Sequence, residues 1–549
     1  MSVVRTDKIS YATAGFGGML THDLAYGVAS AQEFFPAQRW QDVASRIDAR
    51  VFARTELCAA LEKSALASGA PAPALHNIRR LAQPHTYVVA TGQQAGFLGG
   101  PLYALHKALS AIQVARKLEE EARGQAQFVP VFWVAGDDHD LAEIGHADFL
   151  LEDGTLAREE VAFAPDSQGR SACDVMLLPD KPYREALRIS LAKALKDEAA
   201  AARYETAYAG NNMSEAFTRL TYQWLGELGL AVVQSATVRA FAAPVLQRDL
   251  GEYDVISRLI QEAAWEMQRH GFKPGFSSHL RVLPHFFVAR EPCRVRARMV
   301  PLEGGAFEER SAALRERPQR FSRSELAELL RSQPQLFSAD AALRPIVQQY
   351  LFPVVAAVLG PGEIDYWAQL RKVHEHFGVA WPVVLPRATL TLLDAHAEKA
   401  LRKLGLPPAA PELFQRNEVL QKKVLVGGAV NTRLDARVGR IRSELDALSE
   451  EVQGADASLK AMFDKARGRI EHELGRIAER TKIACGQRED AFALRVRYLA
   501  ALVRPRNLPQ ERLLSTGQFL ATYPTLAQDL LQVIEPFSRE HMIVVVSSQ

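Results

Sequence analysis

Cysteine is nearly absent from this chain. Four occur in 549 residues, Cys58, Cys173, Cys293 and Cys485, and none forms a CxxC or a Cys/His zinc spacing. That leaves no basis for a disulfide scaffold or a structural zinc site, and four reduced thiols in the cytoplasm are expected. Long apolar runs are missing too. No uninterrupted stretch approaches the ~20 residues that span a bilayer, and Met1 to Ser10 carries charges and no apolar core, so neither a membrane span nor a signal peptide is expected. An excess of one charge is also lacking. The 66 Lys and Arg stand against 64 Asp and Glu, for a formal net charge of +2, which makes no whole-chain case for nucleic acid or a membrane surface as partner. The chain contains no GxGxxG opening a helix after a strand, no Walker loop and no HExxH, so neither a standard nucleotide fingerprint nor a zincin is met.

What is present is an ordinary globular composition, 48% hydrophobic and 24% charged, long enough for roughly two to four domains. The densest information lies in residues 87–149, where an apolar strand twice runs into a polar loop and then a helix. Tyr87 to Ala90 leads into Thr91 to Pro101, and Phe128 to Ala135 leads into Gly136-Asp137-Asp138-His139-Asp140. A third unit runs from Val354 to Leu359 through Gly360-Pro361-Gly362-Glu363 into a helix, and Trp381 to Leu385 is a further strand before Pro386-Arg387. Repeated strand–helix–strand order predicts one parallel sheet with right-handed crossovers, and such sheets bind ligands at the carboxyl ends of their strands. The expected organisation is a mostly helical region over 1–84, half of a Rossmann-like core over 85–150, a mixed insert over 151–335, the second half of the core over 336–395, a helical coiled-coil domain over 396–503, and a tail over 504–549 that ends in a strand. Leu228 to Ser235 reads as a short strand, and Arg281 to Val300 as a hairpin outside the main sheet. Leu434, Val438, Ile441, Leu445, Leu448 and Val452 form a heptad seam that resumes after Gly454, which predicts two helices folded back on each other or one with a stutter. That seam is either an arm packed within its own domain or a coiled coil that also dimerises.

Three loops carry candidate chemistry. In the first, Gly96, Gly99 and Gly100 allow close backbone approach to an anion, and Thr91, Gln93 and Gln94 supply polar side chains; a Gly-rich structural turn is the alternative. In the second, Asp137, Asp138, His139, Asp140, Glu143 and His146 crowd ten residues directly after a buried strand. Burying them without partners would be costly, so metal binding or ammonium recognition with acid–base work are the two functional uses, and a solvated acidic turn is the alternative; His139, Glu143 and His146 would share a face if the segment were helical. In the third, Gly360 and Gly362 precede Glu363 and Tyr366, while Arg344 and Arg387 supply cations near the same sheet edge.

The segments TGQQAGFLGGPLY, FWVAGDDHDLAEIGH, LRPIVQQYLFP, GPGEIDYWAQL, PVVLPR and PQERLL together resemble the cysteine ligases of bacillithiol biosynthesis, the BshC family. The resemblance implies a Rossmann-like parallel-sheet core akin to class I aminoacyl-tRNA synthetases and other nucleotidyltransferases, with inserted segments and a helical coiled-coil domain. It implies amide formation between L-cysteine and the amine of glucosaminyl-malate. Tyr103 and His106 stand where the two histidines of a class I HIGH tetrapeptide would fall, although no KMSKS sequence follows Arg387. A carboxylate is a poor acyl donor, so adenylation of the cysteine carboxyl is the economical route, with ATP (or an ADP or AMP nucleotide) as co-substrate, together with Mg²⁺, and no tightly bound metal. On this reading Gln93, Gly96, Gly99, Gly100, Gly360, Gly362 and His106 meet the nucleotide or acyl-adenylate. Asp138, His139 and Asp140 hold ammonium groups or act as base, with Gln94, Thr91, Tyr103, Glu143 and His146 in the substrate shell. Glu363 and Tyr366 position the acceptor amine, and Arg387 binds a carboxylate or phosphate. A homodimer through the coiled coil is expected, and the rival reading is a metal-dependent hydrolase built on residues 137–146.

Overall fold

The computed structural model describes residues 3–14, 16, 34–36, 38–163, 167–174, 181–209, 212–277, 282–314, 318–417, 420, 428–538 and 540–547, without the side chains of 181, 428–433 and 482–490. The chain divides into two compact units. One comprises Met1–Phe149, Leu156–Leu392 and Pro509–Gln549, the other Leu150–Thr155 and Leu393–Leu508.

The first unit is built on five parallel strands: β1 (Thr86–Gln93), β2 (Gln127–Val134), β3 (Ala231–Gln234), β4 (Val354–Leu359) and β5 (Val383–Pro386). Their spatial order is β5-β4-β1-β2-β3. Strands covered on both faces read as continuous apolar runs. β4, VVAAVL, is buried at every position, and in β1 only Gly92 and Gln93 reach partial exposure. Each such Val or Leu contributes about 1.5–3 kcal/mol on burial. β5 is half-buried throughout, as befits an edge. The order reverses between β1 and β4, and this switch point opens a crevice at the carboxyl ends of the strands. The expected strand at Leu228–Ser235 is β3, and it belongs to this core sheet although long inserted segments flank it.

Helix α1 (Tyr103–Ala122) connects β1 to β2. Its Ala111, Val114, Ala115 and Leu118 pack with Val89, Phe128, Val355 and Val358 of the sheet and with Val43 and Ile47. Between β3 and β4 lies an antiparallel sheet in which Phe286–Arg290 pairs with Val295–Pro301, Phe287 facing Arg298; the expected hairpin is there, with Arg281 outside the described residues. Helix α2 (Pro361–Trp367) follows β4. The expectation of a mostly helical N-terminal region holds for Trp40–Asp48, Arg54–Ala67 and Ala72–Arg80, but Val3–Ser10 is a strand. It pairs antiparallel with Glu540–Val546, and nothing local to its sequence points to a partner more than 500 residues away.

The second unit contains α3 (Gly428–Ala455) and α4 (Lys460–Val503). They fold back on each other across a break capped by Asp456, and Arg467 pairs with Asp446 at 2.6 Å. Leu434, Val438, Leu445 and Val452 of the predicted seam are half-buried. Ile441 and Leu448 are 42% and 45% exposed, and Met462, Ile470 and Ile477 of α4 are exposed too. The hairpin alone therefore does not cover its apolar stripe.

Candidate functional site

At the end of β1 the chain meets β2 so closely that a Cβ on Gly92 would stand 2.6 Å from the Trp133 carbonyl oxygen. Thr91, expected to face a ligand, is buried and donates to the Val358 carbonyl at 2.8 Å, tying β1 to β4. Gly96, Gly99 and Gly100, expected to cradle an anion, are buried in a tight turn. A Cβ on Gly99, at φ +80°, would strike the Trp224 ring at 2.5 Å, and one on Gly96 would meet the Gly100 Cα at 2.7 Å. These glycines serve packing.

Gln93 and Gln94 do face the crevice and connect the loops. Gln94 Nε2 donates to Asp138 Oδ2 at 2.5 Å and Glu143 Oε2 at 3.2 Å. Gln93 Nε2 donates to the Tyr103 hydroxyl at 3.2 Å, and its Oε1 accepts from Lys107 Nζ at 2.7 Å. Lys107 also donates to the Gly92 carbonyl at 2.8 Å and pairs with Glu363 Oε2 at 2.5 Å. It is 3% exposed, and burial pulls its pKa below the usual lysine value against the pull of Glu363. Glu363 Oε2 in turn accepts from the Gly360 N–H at 2.9 Å, as a carboxylate in a helix's first turn commonly does. Burial pushes the Tyr103 hydroxyl up to about 12, with Glu143 adding to the effect. Gly362 is exposed.

His106 and Arg387 were expected to touch a ligand, and the structure spends both on one buried carboxylate. His106 Nδ1 donates to Glu511 Oε2 at 2.9 Å, and Arg387 binds both Glu511 oxygens. All three are at most 4% exposed. Burial works against the charge on Glu511, but Arg387 and His106 outweigh it and hold the carboxyl at about 2. Burial lowers His106 and keeps it neutral. Two buried atoms are left over here without a hydrogen-bond partner: Arg387 Nε–H, a donor, and His106 Nε2, which in the neutral ring is an acceptor.

In the second loop Asp137 Oδ1 accepts from Arg239 Nε at 2.8 Å and Nη2 at 2.6 Å; that buried guanidinium also reaches Cys173 Sγ at 3.0 Å. Asp138 Oδ1 accepts from the His139 N–H at 2.7 Å. Asp140 caps the single turn Leu141–Ile144. His139 Nδ1 lies 3.2 Å from Arg296 Nη1. Arginine only donates, so Nδ1 accepts and the ring proton sits on Nε2. Burial and then Arg296 lower the His139 pKa, which suits a neutral hydrogen-bond donor better than a base while Arg296 is in place. The segment is not one helix: His146 begins the strand His146–Leu150 and donates from Nδ1 to the Ala142 carbonyl at 2.9 Å. His139, Glu143 and His146 therefore share no helical face.

A cavity of about 300 Å³ lies where this loop faces the antiparallel sheet. Asp137, Asp138 and His139 form one side, and Phe287, Arg296, Arg298, Asp340 and Arg344 the other. Arg296 and Arg298 stack over the Phe287 ring at 4.1 and 4.3 Å, and Arg298 pairs with Asp340 at 3.1 Å. Arg344 Nη2 donates to the Tyr366 hydroxyl at 3.2 Å, linking cavity to third loop. The three loops thus meet at one sheet edge, joined through Gln94, Lys107 and Arg344; Gln93 and Glu363 stand beside the cavity without lining it. Sequence reasoning assigned no role to Lys107, Arg239, Arg296, Arg298 or Glu511. The only signals for them were the run of Arg in 281–300 and the segment PQERLL.

A parallel core in 3-2-1-4-5 order, with polar loops converging on its switch point and a separate helical hairpin, defines a Rossmann-like enzyme core joined to a coiled-coil unit. Residues 4–388 match the family model described as bacillithiol biosynthesis BshC, N-terminal Rossmann-like domain, and residues 390–546 match the BshC C-terminal coiled-coil domain. The chain belongs to the BshC family of bacillithiol biosynthesis. Among similar proteins, that of Chlorobaculum tepidum is 29% identical over 495 residues, covering 85% of this chain and 84% of its own. That of Koribacter versatilis is 28% identical with 98% of each chain covered, and that of Symbiobacterium thermophilum 31% identical with 88% of each. Each carries the name "Putative cysteine ligase BshC".

Proposed function

We propose that this chain is a ligase that joins the carboxyl of L-cysteine to the amine of glucosaminyl-malate, the last step of bacillithiol biosynthesis, through a cysteine carboxyl activated by adenylation. The enzyme class follows the family: a ligase forming a carbon–nitrogen bond. The observation that carries the reading is the cavity lined by both carboxylates, Asp137, Asp138 and Asp340, and guanidiniums, Arg296, Arg298 and Arg344. Charges of both signs in one cavity complement substrates that bring both amines and the malate carboxylates. Glu363 is already neutralised by Lys107 and Asp140 caps the turn Leu141–Ile144 outside the cavity, so Asp138, which lines the cavity, is the carboxylate left to hold an ammonium. Arg296, Arg298 and Arg344 would hold the acceptor's carboxylates, and His139 Nε2 would donate within the same cavity.

ATP supplies the leaving group that a carboxylate lacks. The residues that would meet its phosphates are Tyr103 and Arg387, whose Nε is a buried donor without a partner next to Gly360. Among the described residues no group of three or more His, Cys, Asp or Glu stands in metal-holding geometry, so the hydrolase reading gains no support. No described helix is long and apolar enough to cross a membrane; the sparse, scattered cysteines support a cytoplasmic reaction. The exposed stripe of Ile441, Leu448, Met462, Ile470 and Ile477 supports a homodimer through the coiled coil. Incubation of the full chain with L-cysteine, glucosaminyl-malate, ATP and Mg²⁺ should yield bacillithiol by mass. Absence of product with every nucleoside triphosphate would overturn the reading.

A further inference from the structure

Three acceptors surround the Lys107 ammonium: the Gly92 carbonyl, Gln93 Oε1 and Glu363 Oε2. A lysine has three N–H donors and no acceptor, so its hydrogens are all spent and none is left for a ligand. The side chain starts on α1, crosses the switch point and holds the end of β1 against the first turn of α2. Because Lys107 can only donate, the Gln93 carboxamide must turn Oε1 toward it. That places Nε2 toward Tyr103, whose hydroxyl accepts at 3.2 Å. A phenol that accepts this bond keeps its own proton to donate, and among the described residues no acceptor takes it.

A second unspent donor lies beside the first. Arg387 Nε is buried and without a partner. A Cβ on Gly360 would stand 3.6 Å from that nitrogen and 3.5 Å from Lys107 Cε, so a side chain there would crowd both. The Arg387 guanidinium lies 5.9 Å from the Tyr103 ring centroid. An unsatisfied buried donor is costly, and an anionic acceptor beside it would relieve that cost.

We propose that Lys107 is a positioning residue: through Gln93 it aims the Tyr103 hydroxyl, with Arg387 Nε–H beside it, at an anionic oxygen of the bound ligand, a carboxylate or a phosphoryl group. The identity of that ligand rests on the ligase reading; the geometry of the relay does not.

The test is a double-mutant cycle on the full chain with Lys107→Met and Tyr103→Phe, read by calorimetric titration with ATP, adenosine, L-cysteine and cysteamine. Each single substitution should weaken the anionic ligand about tenfold, the scale of one hydrogen bond to a charged group. A penalty on ATP that vanishes with adenosine marks a phosphoryl group, and one on L-cysteine that vanishes with cysteamine marks a carboxylate. The double variant should bind no more weakly than the weaker single, because Lys107 acts through Tyr103. Additive losses, equal weakening of all four ligands by Lys107→Met, or no change in either single would overturn the proposal. If Lys107→Met does not fold, Gln93→Ala replaces it in the same cycle, since it breaks the relay and keeps the Lys107–Glu363 pair. Wild-type chain that makes the amide while the cycle is additive removes the positioning role alone. Wild-type chain that binds ATP and L-cysteine without making the amide removes the ligase reading and leaves the cycle to decide the relay. Wild-type chain that binds neither overturns both.

Discussion

Glu511→Gln is the sharpest probe of how the crevice is held. The substitution keeps the shape of the side chain and removes its charge, leaving the buried Arg387 guanidinium without its counter-ion. In the folded protein the Glu511 carboxyl sits at about 2, against an ordinary 4.5. At 1.36 kcal/mol per unit, that difference is worth about 3 kcal/mol of stability. Removing one member of a buried pair is independently expected to cost roughly 3–5 kcal/mol, so the two routes agree. The folded pKa is depressed, so the contribution is fully present above the unfolded value near 4.5 and is lost as pH falls toward 2. Urea unfolding followed by tryptophan fluorescence is a suitable assay. All six tryptophans, Trp40, Trp133, Trp224, Trp265, Trp367 and Trp381, belong to the unit that contains Glu511. The Gln variant should be about 3 kcal/mol less stable at pH 7, and the gap to wild type should narrow between pH 4.5 and 2. A variant within 1 kcal/mol of wild type at pH 7, or a gap that stays constant to pH 3, would refute the reasoning.

His139→Ala should lower kcat/KM for amide formation by about 10²-fold or more with an unchanged melting temperature, as loss of a positioned donor does; near-normal turnover would remove His139 from the site. Asp137→Asn breaks the ion pair with buried Arg239 and should destabilise the first unit by roughly 2–4 kcal/mol, seen as a drop in the tryptophan-detected urea midpoint. Gly99→Val forces a side chain into the Trp224 ring at a positive φ and should cost about 2 kcal/mol or more, whereas Gly362→Ala, at an open and exposed position, should be neutral in the same measurement. Ile441→Asp with Leu445→Asp places two carboxylates in the apolar stripe of α3 and should convert a dimer to a monomer by light scattering. A wild-type chain already monomeric at micromolar concentration would refute the dimer.

Much of the core was legible because its signals are local. VVAAVL and FVPVFWVA read as buried strands from their unbroken apolar character, and the polar loops that follow them read as ligand loops because they end such strands. The heptad spacing from Leu434 to Val452 likewise announced a long helical segment, and left open whether it forms a hairpin or one helix with a stutter. The roles inside the loops were much less legible. Thr91, Gly96, Gly99 and Gly100 look like a ligand cradle in sequence, yet their groups are taken up by Val358, Trp224 and the turn itself. Lys107 reads as one more basic residue on an amphipathic helix until the sheet and α2 close over it.

The sequence by itself determined the parallel core, the three polar loops at its strand ends, the coiled-coil unit and, through its motifs, the family. Tertiary structure alone decided that Val3–Ser10 is a strand beside Glu540–Val546, that Ala231–Gln234 completes the core sheet, and that Glu511 pairs with both His106 and Arg387. The physical reason is one of range. Periodicity and turn chemistry act over a few residues. The partner of a buried charge is chosen by desolvation across the whole fold, and here it lies 405 residues from His106 and 124 from Arg387.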